Sequence, residues 1–115
     1  MAAGDFNGDG LVDGALLAID HNRSELAVFV FLCISQDQVF KWYKVGSFEY
    51  RLIKYTGVRL LKPQTVLFYS EIRGETKSEL HVVNDAFELF QSEGPSSVFY
   101  YEPESDRFNR VWISK

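Results

Sequence analysis

A regular succession of short apolar and aromatic runs constrains the fold of this chain more than any other feature. About eight to ten such runs follow one another at roughly ten-residue spacing, separated by polar or glycine-containing segments. Many of them alternate apolar and polar residues, which is the period of a half-buried β-strand. The pattern predicts an all-β or β-dominated fold of about 8–10 short strands, arranged as an antiparallel sheet, a sandwich or a partial barrel.

The first half of the chain contains three clear strand signals. Residues 15–20 (ALLAID) predict a first strand. Residues 26–34 (LAVFVFLCI) predict a central strand buried on both faces, because their β-branched and aromatic side chains favour a strand over a buried helix. Residues 38–45 predict a third strand. Alternation places its residues on two opposite sides, with Val39, Lys41, Tyr43 and Val45 on one and Phe40, Trp42 and Lys44 on the other.

The second half of the chain is predicted as a series of shorter strands. Residues 48–55 are either a strand or an irregular crossing segment. Residues 84–91 start with a turn-like Asn-Asp pair, after which AFELF is either a strand or a helical turn. The remaining predicted strands are 58–61, 65–72, 79–83, 98–103 and 107–114. A loop around Gly74 would join 65–72 to 79–83, and the segment EPESD would join the last two strands. Alternation places Tyr100 and Tyr101 on opposite faces.

Length, composition and charge exclude several classes of protein. The chain has 115 residues, of which 46% are hydrophobic, so it can build a real core, and we expect residues 1–115 to form a single domain. The formal net charge of −4 offers no electrostatic footprint for nucleic acid. No apolar run reaches the roughly 18–20 residues of a membrane span. The one cysteine, Cys33, allows no intrachain disulfide and is expected to be buried and inert.

The stretch GDFNGDGLVDG, residues 4–14, crowds mutually repelling carboxylates into a short glycine-rich segment. Side chains at alternate positions of a tight loop point toward a common centre, which suits a hard cation that takes six to eight oxygens. Gly10, at position 6 of the loop, is expected to turn the chain with a positive φ. The pattern predicts one Ca2+ whose ligands are the side chains of Asp5, Asn7, Asp9 and Asp13 and the carbonyl of Leu11.

This loop departs from the related EF-hand pattern. Position 12, which should be a bidentate Glu, is Leu16, and we expect no helix before Asp5. The loop contains no His or Cys, which argues against zinc or copper. Nor is it a dinucleotide-binding fingerprint, since we expect no strand before it and its carboxylates would repel phosphate. The alternative to a metal site is a solvated turn held by Asx hydrogen bonds.

The segment GDFNGDGLVDGALLA resembles the calcium loop of FG-GAP/VCBS-type repeats, which are found in integrin α-chain propellers and in bacterial secreted proteins. The resemblance is limited to about residues 4–20, and the motif is not repeated, so the length excludes a full propeller. It implies a cation in a loop between two strands, with the same five residues as ligands and Ala15–Ala18 beginning the following strand. The rest of the chain is similar to small bacterial exported β domains with a tyrosine-rich ending.

The sequence offers no catalytic constellation, and we expect no enzymatic activity. His21 lies in a predicted hairpin loop and His81 in the middle of a predicted strand. Scattered acids favour a solvated face over a glycosidase pair; they are Glu88, Glu93, Glu102 and Glu104. A calcium-dependent hydrolase would require a base such as His21 beside the acidic loop.

The sequence therefore predicts a small calcium-binding β domain of an exported protein. Calcium would be structural, and the domain would act as a binding or interaction module. Loops of modest affinity fill where calcium is millimolar, so we expect an extracellular or periplasmic protein whose leader precedes this sequence. Exposed aromatic side chains would suit another protein or a carbohydrate as partner. The alternative function is a periplasmic inhibitor or immunity-type protein that blocks a partner enzyme with a loop such as EPESDR.

Overall fold

The computed structural model describes residues 1–20, 22–23, 25–37, 39–49, 56–69, 77–91 and 95–114. Within these ranges the chain forms strands joined by turns and bends, with no helix. The strands are β1 (Ala2–Gly4), β2 (Asp13–Asp20), β3 (Glu25–Ser35), β4 (Val39–Glu49), β5 (Thr56–Leu61), β6 (Gln64–Tyr69), β7 (Lys77–Val82), β8 (Ala86–Gln91), β9 (Ser97–Glu102) and β10 (Arg107–Trp112). The prediction of an all-β fold is confirmed.

The first sheet is an antiparallel meander in the order β1-β2-β3-β4. Leu16 of β2 lies opposite Phe29 of β3, and Phe31 of β3 lies opposite Trp42 of β4. The expectation that no strand precedes the acidic loop is wrong, because β1 pairs with residues 13–15. Three residues are too few to show an alternating pattern, and this strand is stabilised by its pairing with β2 across the loop.

The second sheet has the order β5-β8-β9-β10-β6-β7 and is also antiparallel. Only the pair Trp112 and Tyr69 joins β10 to β6 in the described register. Val66 of β6 and Val82 of β7 pack with Val98 of β9 in a second, smaller hydrophobic cluster. The two antiparallel sheets, one of them a half-barrel, are consistent with a β sandwich or a partial barrel.

The main core lies between the two sheets. Val28 and Val30 of β3 are fully buried in it, as are Phe87 of β8 and Phe99 of β9. The Phe87 and Phe99 rings stack with their centroids 5.0 Å apart. Phe6, at the start of the acidic loop, is 1% exposed and belongs to this core, so the loop begins inside the hydrophobic interior.

The opposite face of the first sheet carries a group of aromatic side chains, Phe29, Phe31, Phe40 and Trp42, which we call the aromatic face. The Phe31 ring centroid lies 5.0 Å from that of Trp42 and 5.4 Å from that of Phe40. Trp42 is 60% exposed and Phe40 38% exposed. The prediction that β3 is buried on both faces holds in part on this side, where Ala27 and Cys33 are buried and Phe29 and Phe31 are half-buried.

Several local predictions are confirmed. The alternation predicted for residues 40–44 matches the register of β4 against β3, whereas a register shift between Cys33 and Ser35 interrupts the pattern at Val39. Residues 86–91 form a strand and not a helical turn. Tyr101 packs on the main core and Tyr100 on the second cluster, so they occupy opposite faces. The predicted loop around Gly74, the segment 50–55 and His21 lie outside the described residues.

Candidate metal centre

The acidic loop connects β1 to β2, so that its two ends lie side by side. Gly4 is paired with Asp13 in the strand register, which brings Asp5 and Asp13 together. Carboxylate oxygens of Asp5, Asp9 and Asp13 all lie within 4.8 Å of one another. Two oxygens on opposite sides of a Ca2+ are about 5 Å apart, since each Ca–O distance is about 2.3–2.6 Å. The spacing therefore permits all three carboxylates to contact one ion.

Asp13 joins this cluster to the core. Asp13 is 1% exposed, and both of its carboxylate oxygens accept buried backbone hydrogen bonds. The Phe6 N–H donates to Oδ2 at 2.9 Å and the Cys33 N–H to Oδ1 at 2.8 Å. Burial raises the pKa of the Asp13 carboxyl above its ordinary value; the two N–H donors oppose this shift, and the nearby charges of Asp9 and Asp5 add to it.

Asp5 organises the turn. Its Oδ1 accepts hydrogen bonds from the N–H groups of Gly8 and Asp9, and its Oδ2 accepts one from Gly10 at 2.7 Å. Gly10 has a φ of 83°, as the sequence predicted, and Gly8 has a φ of 76°. A residue with a β-carbon rarely adopts this conformation, so glycine allows the amides to converge on the Asp5 carboxylate.

The other predicted ligands lie on the same loop. Asp9 is exposed, and its Oδ1 accepts the Leu11 N–H at 2.8 Å. The Asn7 side-chain oxygen accepts the Asp9 N–H at 3.4 Å. These bonds are also those expected of a metal-free Asx turn. They do not preclude metal binding, because a carboxylate oxygen has two acceptor sites. Oδ1 of Asp5 already accepts two N–H groups, but its Oδ2 accepts one and can still contact a cation.

A neighbouring turn fixes the loop to the second sheet. Asp85, in the turn between β7 and β8, accepts the Asp5 N–H on Oδ2 at 3.0 Å, and Lys62 lies 3.8 Å from its Oδ1. Asn84 packs against Gly8, where a β-carbon would come within 2.7 Å of the Asn84 oxygen. The Asn84–Asp85 pair predicts a turn, but no pattern in the sequence indicates that this turn contacts the acidic loop.

The remaining candidate residues lie apart from this cluster. His81, on β7, is exposed and forms a 2.9 Å hydrogen bond with Thr65. Glu88 is buried and accepts a 2.6 Å hydrogen bond from Arg59. Glu102 accepts hydrogen bonds from Ser105 and Asn109. Among the described residues, the acidic cluster includes no histidine.

Comparison with models of known protein families, with curated proteins and with solved structures finds no match. In the part of the chain that the structure describes, no helix is long and apolar enough to cross a membrane. Functional inference therefore rests on the geometry of the chain itself.

Proposed function

We propose that this protein is a small calcium-binding β domain of an exported protein, in which Ca2+ stabilises the loop between β1 and β2. The observation that carries the proposal is the convergence of Asp5, Asp9 and Asp13 within 4.8 Å of one another. Three carboxylates at this distance repel, and a divalent cation would offset that repulsion. The carbonyl of Leu11, the side chain of Asn7 and water would complete an all-oxygen shell.

The role of calcium would be to order the loop. Asp13 and Phe6 are already fixed in the core, whereas the segment from Asn7 to Val12 is largely exposed. A cation held between buried Asp13 and exposed Asp9 would tie the outer part of the loop to the inner part. The ligand set lacks the bidentate Glu of an EF-hand, which favours modest affinity and thus a calcium-rich compartment outside the cytoplasm.

The aromatic face supports a role in binding a partner. Trp42 and Phe40 are exposed and lie next to Phe31, so one face of the first sheet offers adjoining aromatic rings to solvent. Such side chains provide large contact areas for proteins and sugars. We therefore propose that the domain is an interaction module whose calcium is structural.

Thermal melts of the purified domain test the calcium site. With a Kd of about 0.1 mM, about 2 mM calcium would contribute about 1.8 kcal/mol to the free energy of unfolding. This corresponds to a rise in Tm of several degrees over EDTA for a domain of this size. Magnesium should produce a smaller effect, since it requires a stricter octahedral shell.

Asp9→Ala is the decisive variant because Asp9 is exposed and makes few fold contacts. It should melt like wild type in EDTA and show no rise with calcium. Asp37→Ala, which alters an exposed aspartate in the β3–β4 turn, is the matched control and should keep the calcium response. Equal calcium responses in wild type and Asp9→Ala would show that the loop is only a turn.

The alternative of an inhibitor or immunity-type protein has one supporting observation. The turn from Pro103 to Asp106 is exposed and acidic, and it is held by contacts of Asp106 with Lys41, Tyr43 and Tyr101. A loop fixed in this way suits insertion into an enzyme's cleft. Inhibition of a co-purifying enzyme by wild type, lost in Glu104→Lys, would support this function over the first.

A further inference from the structure

Arg110 is enclosed by aromatic rings between the two sheets. It lies on β10 opposite Phe99, and its guanidinium carbon is 3.9 Å from the centroid of the Trp112 ring. The Phe48 and Phe99 centroids are each 5.1 Å away. The Nε–H donates to the hydroxyl of fully buried Ser97 at 2.9 Å. Burial lowers the pKa of this guanidinium, because the surroundings disfavour its charge.

Arg59 provides an internal comparison. It also stacks on an aromatic ring, that of Phe90 at 4.7 Å, but it donates to the carboxylate of Glu88 at 2.6 Å. The Arg59 side chain is 61% exposed, so water solvates its charge and the desolvation penalty is smaller than for Arg110. Arg110 is half-buried, yet no carboxylate of a described residue is paired with it. A buried cation loses its hydration, so it needs a charged partner more than an exposed cation does.

The aromatic neighbours of Arg110 accept none of its five side-chain N–H groups in a conventional hydrogen bond. Aromatic rings cover the faces of a guanidinium, whereas all five N–H groups point outward in its plane. Ser97 takes the Nε–H alone. The Nη groups form the fork that binds a planar carboxylate or a phosphate through two parallel hydrogen bonds.

We propose that Arg110, Ser97 and Trp112 form a binding site for an oxyanion, a carboxylate or phosphate group carried by a ligand from outside the chain. Arg110 supplies the charge and the two-pronged donor. Ser97 fixes the guanidinium through its Nε–H, and Trp112 holds its plane.

This site is separate from the acidic loop. Phe48, which contacts Arg110, is paired with Leu26, whereas Cys33 binds the carboxylate of Asp13. Leu26 and Cys33 are seven residues apart on β3, which is about 23 Å of strand. None of the residues that contact Arg110 is a proposed calcium ligand, so the oxyanion site can be tested in EDTA.

The experiment is a titration of the whole chain with sodium phosphate and, separately, with sodium acetate, each against sodium chloride at equal ionic strength. The Nε–H resonance of Arg110 is followed by NMR, with that of Arg59 as the internal control. Fluorescence of Trp112 is followed in a Trp42→Phe background, which removes the other tryptophan. We expect a saturable change at Arg110 and Trp112 with at least one anion, and none at Arg59. Saturation by phosphate alone would identify a phosphate ligand, and by acetate alone a carboxylate ligand.

Two variants sharpen the result. Arg110→Gln should abolish the saturable fluorescence change, and Ser97→Ala should weaken binding several-fold while it retains the Arg110 charge. If Arg110→Gln does not fold, the wild-type and Ser97→Ala titrations still decide. Responses to phosphate and acetate that are linear or equal to that of chloride would overturn the proposal. So would a shift of the Arg110 resonance in anion-free buffer on Glu49→Gln or Glu93→Gln, because the chain would then supply its own carboxylate.

Discussion

Replacing Asp13 with alanine should destabilise the fold strongly even without any metal. The Asp13 carboxylate is 1% exposed and accepts the N–H groups of Phe6 and Cys33, which come from the loop and from β3. Removing it leaves both buried donors without a partner. Each unsatisfied buried donor costs about 1–3 kcal/mol, so the pair costs about 2–6 kcal/mol. The loss is large beside a total stability of about 5–15 kcal/mol for a typical domain.

Asp13→Asn is the matched variant, because it retains one acceptor oxygen in nearly the same volume. Its amide nitrogen faces one of the two N–H donors and cannot accept from it, so one hydrogen bond is lost and the cost is about 1–3 kcal/mol. Asp9→Ala removes an exposed acceptor but also relieves repulsion among the carboxylates, so its stability in the same buffer should lie within about 1 kcal/mol of wild type. The expected order of stability is wild type and Asp9→Ala together, then Asp13→Asn, then Asp13→Ala.

Urea unfolding in EDTA measures these differences, with tryptophan fluorescence and far-ultraviolet circular dichroism as two probes of one transition. EDTA removes any contribution of calcium, so the result concerns only the interactions of the chain itself, in which the two lost hydrogen bonds oppose the relief of carboxylate repulsion. An Asp13→Ala protein within 1 kcal/mol of wild type, with an unchanged m-value, would refute the reasoning. It would mean that water or a shifted backbone satisfies the Phe6 and Cys33 amides.

Four further predictions concern other parts of the fold. A β-carbon on Gly14 would lie 2.2 Å from the Phe31 ring, so Gly14→Ala should lower the free energy of unfolding in urea by about 1–3 kcal/mol. Adding Phe31→Ala should remove most of the clash. A Gly14→Ala protein as stable as wild type would contradict this. Asp106 accepts a hydrogen bond from the Tyr101 hydroxyl and raises the pKa of Tyr101 to about 12. In Asp106→Asn the tyrosinate absorbance of Tyr101 should therefore appear at lower pH. An unchanged tyrosine titration curve would refute the contact. Hydrogen bonds lower the pKa of Asp106 from its ordinary 3.8 to about 2. The ionised carboxylate therefore stabilises the fold above pH 3.8, and this contribution is lost as the pH falls toward 2. Asp106→Asn should flatten that part of the acid-unfolding profile. Cys33 is buried and donates its thiol hydrogen to the Ser35 carbonyl, so it should react slowly with a thiol reagent in the native state and rapidly in urea; rapid native reaction would contradict its burial.

Alternation in the sequence predicted the faces of the strands better than their partners. The side chains of residues 40–44 divide as expected because a strand has a fixed period of two residues. Which strands pair is decided by packing across the whole chain. The neighbours β5 and β8, and β10 and β6, are far apart in sequence, and no local pattern specifies their contact. β1 was not predicted for a related reason: it is short, and it is a strand because it pairs with β2.

The same distinction applies to the candidate sites. The spacing of Asp5, Asp9 and Asp13 predicted that their carboxylates converge, because a glycine-rich loop confines nearby side chains, and the structure brings them together. Sequence could not predict that Asp13 is also a buried acceptor, since Cys33 is 20 residues away. Nor could it single out Arg110 from the other basic residues. Its surroundings come from β4, β9 and β10, which meet only in the folded chain.

The anchoring of the acidic loop explains how an incomplete ligand set could hold calcium. Phe6 contacts the rings of Phe87 and Phe108 in the core, and its N–H binds Asp13, so both ends of the loop are fixed before any ion arrives. The three amides that converge on Asp5 restrict the turn further. A binding site that is ordered in advance loses less conformational entropy on binding, and fewer ligand contacts are then needed for a given affinity. Loosening the turn at Asp5 should therefore weaken calcium binding by more than the loss of one ligand, because the cation would have to order the loop as well as bind to it.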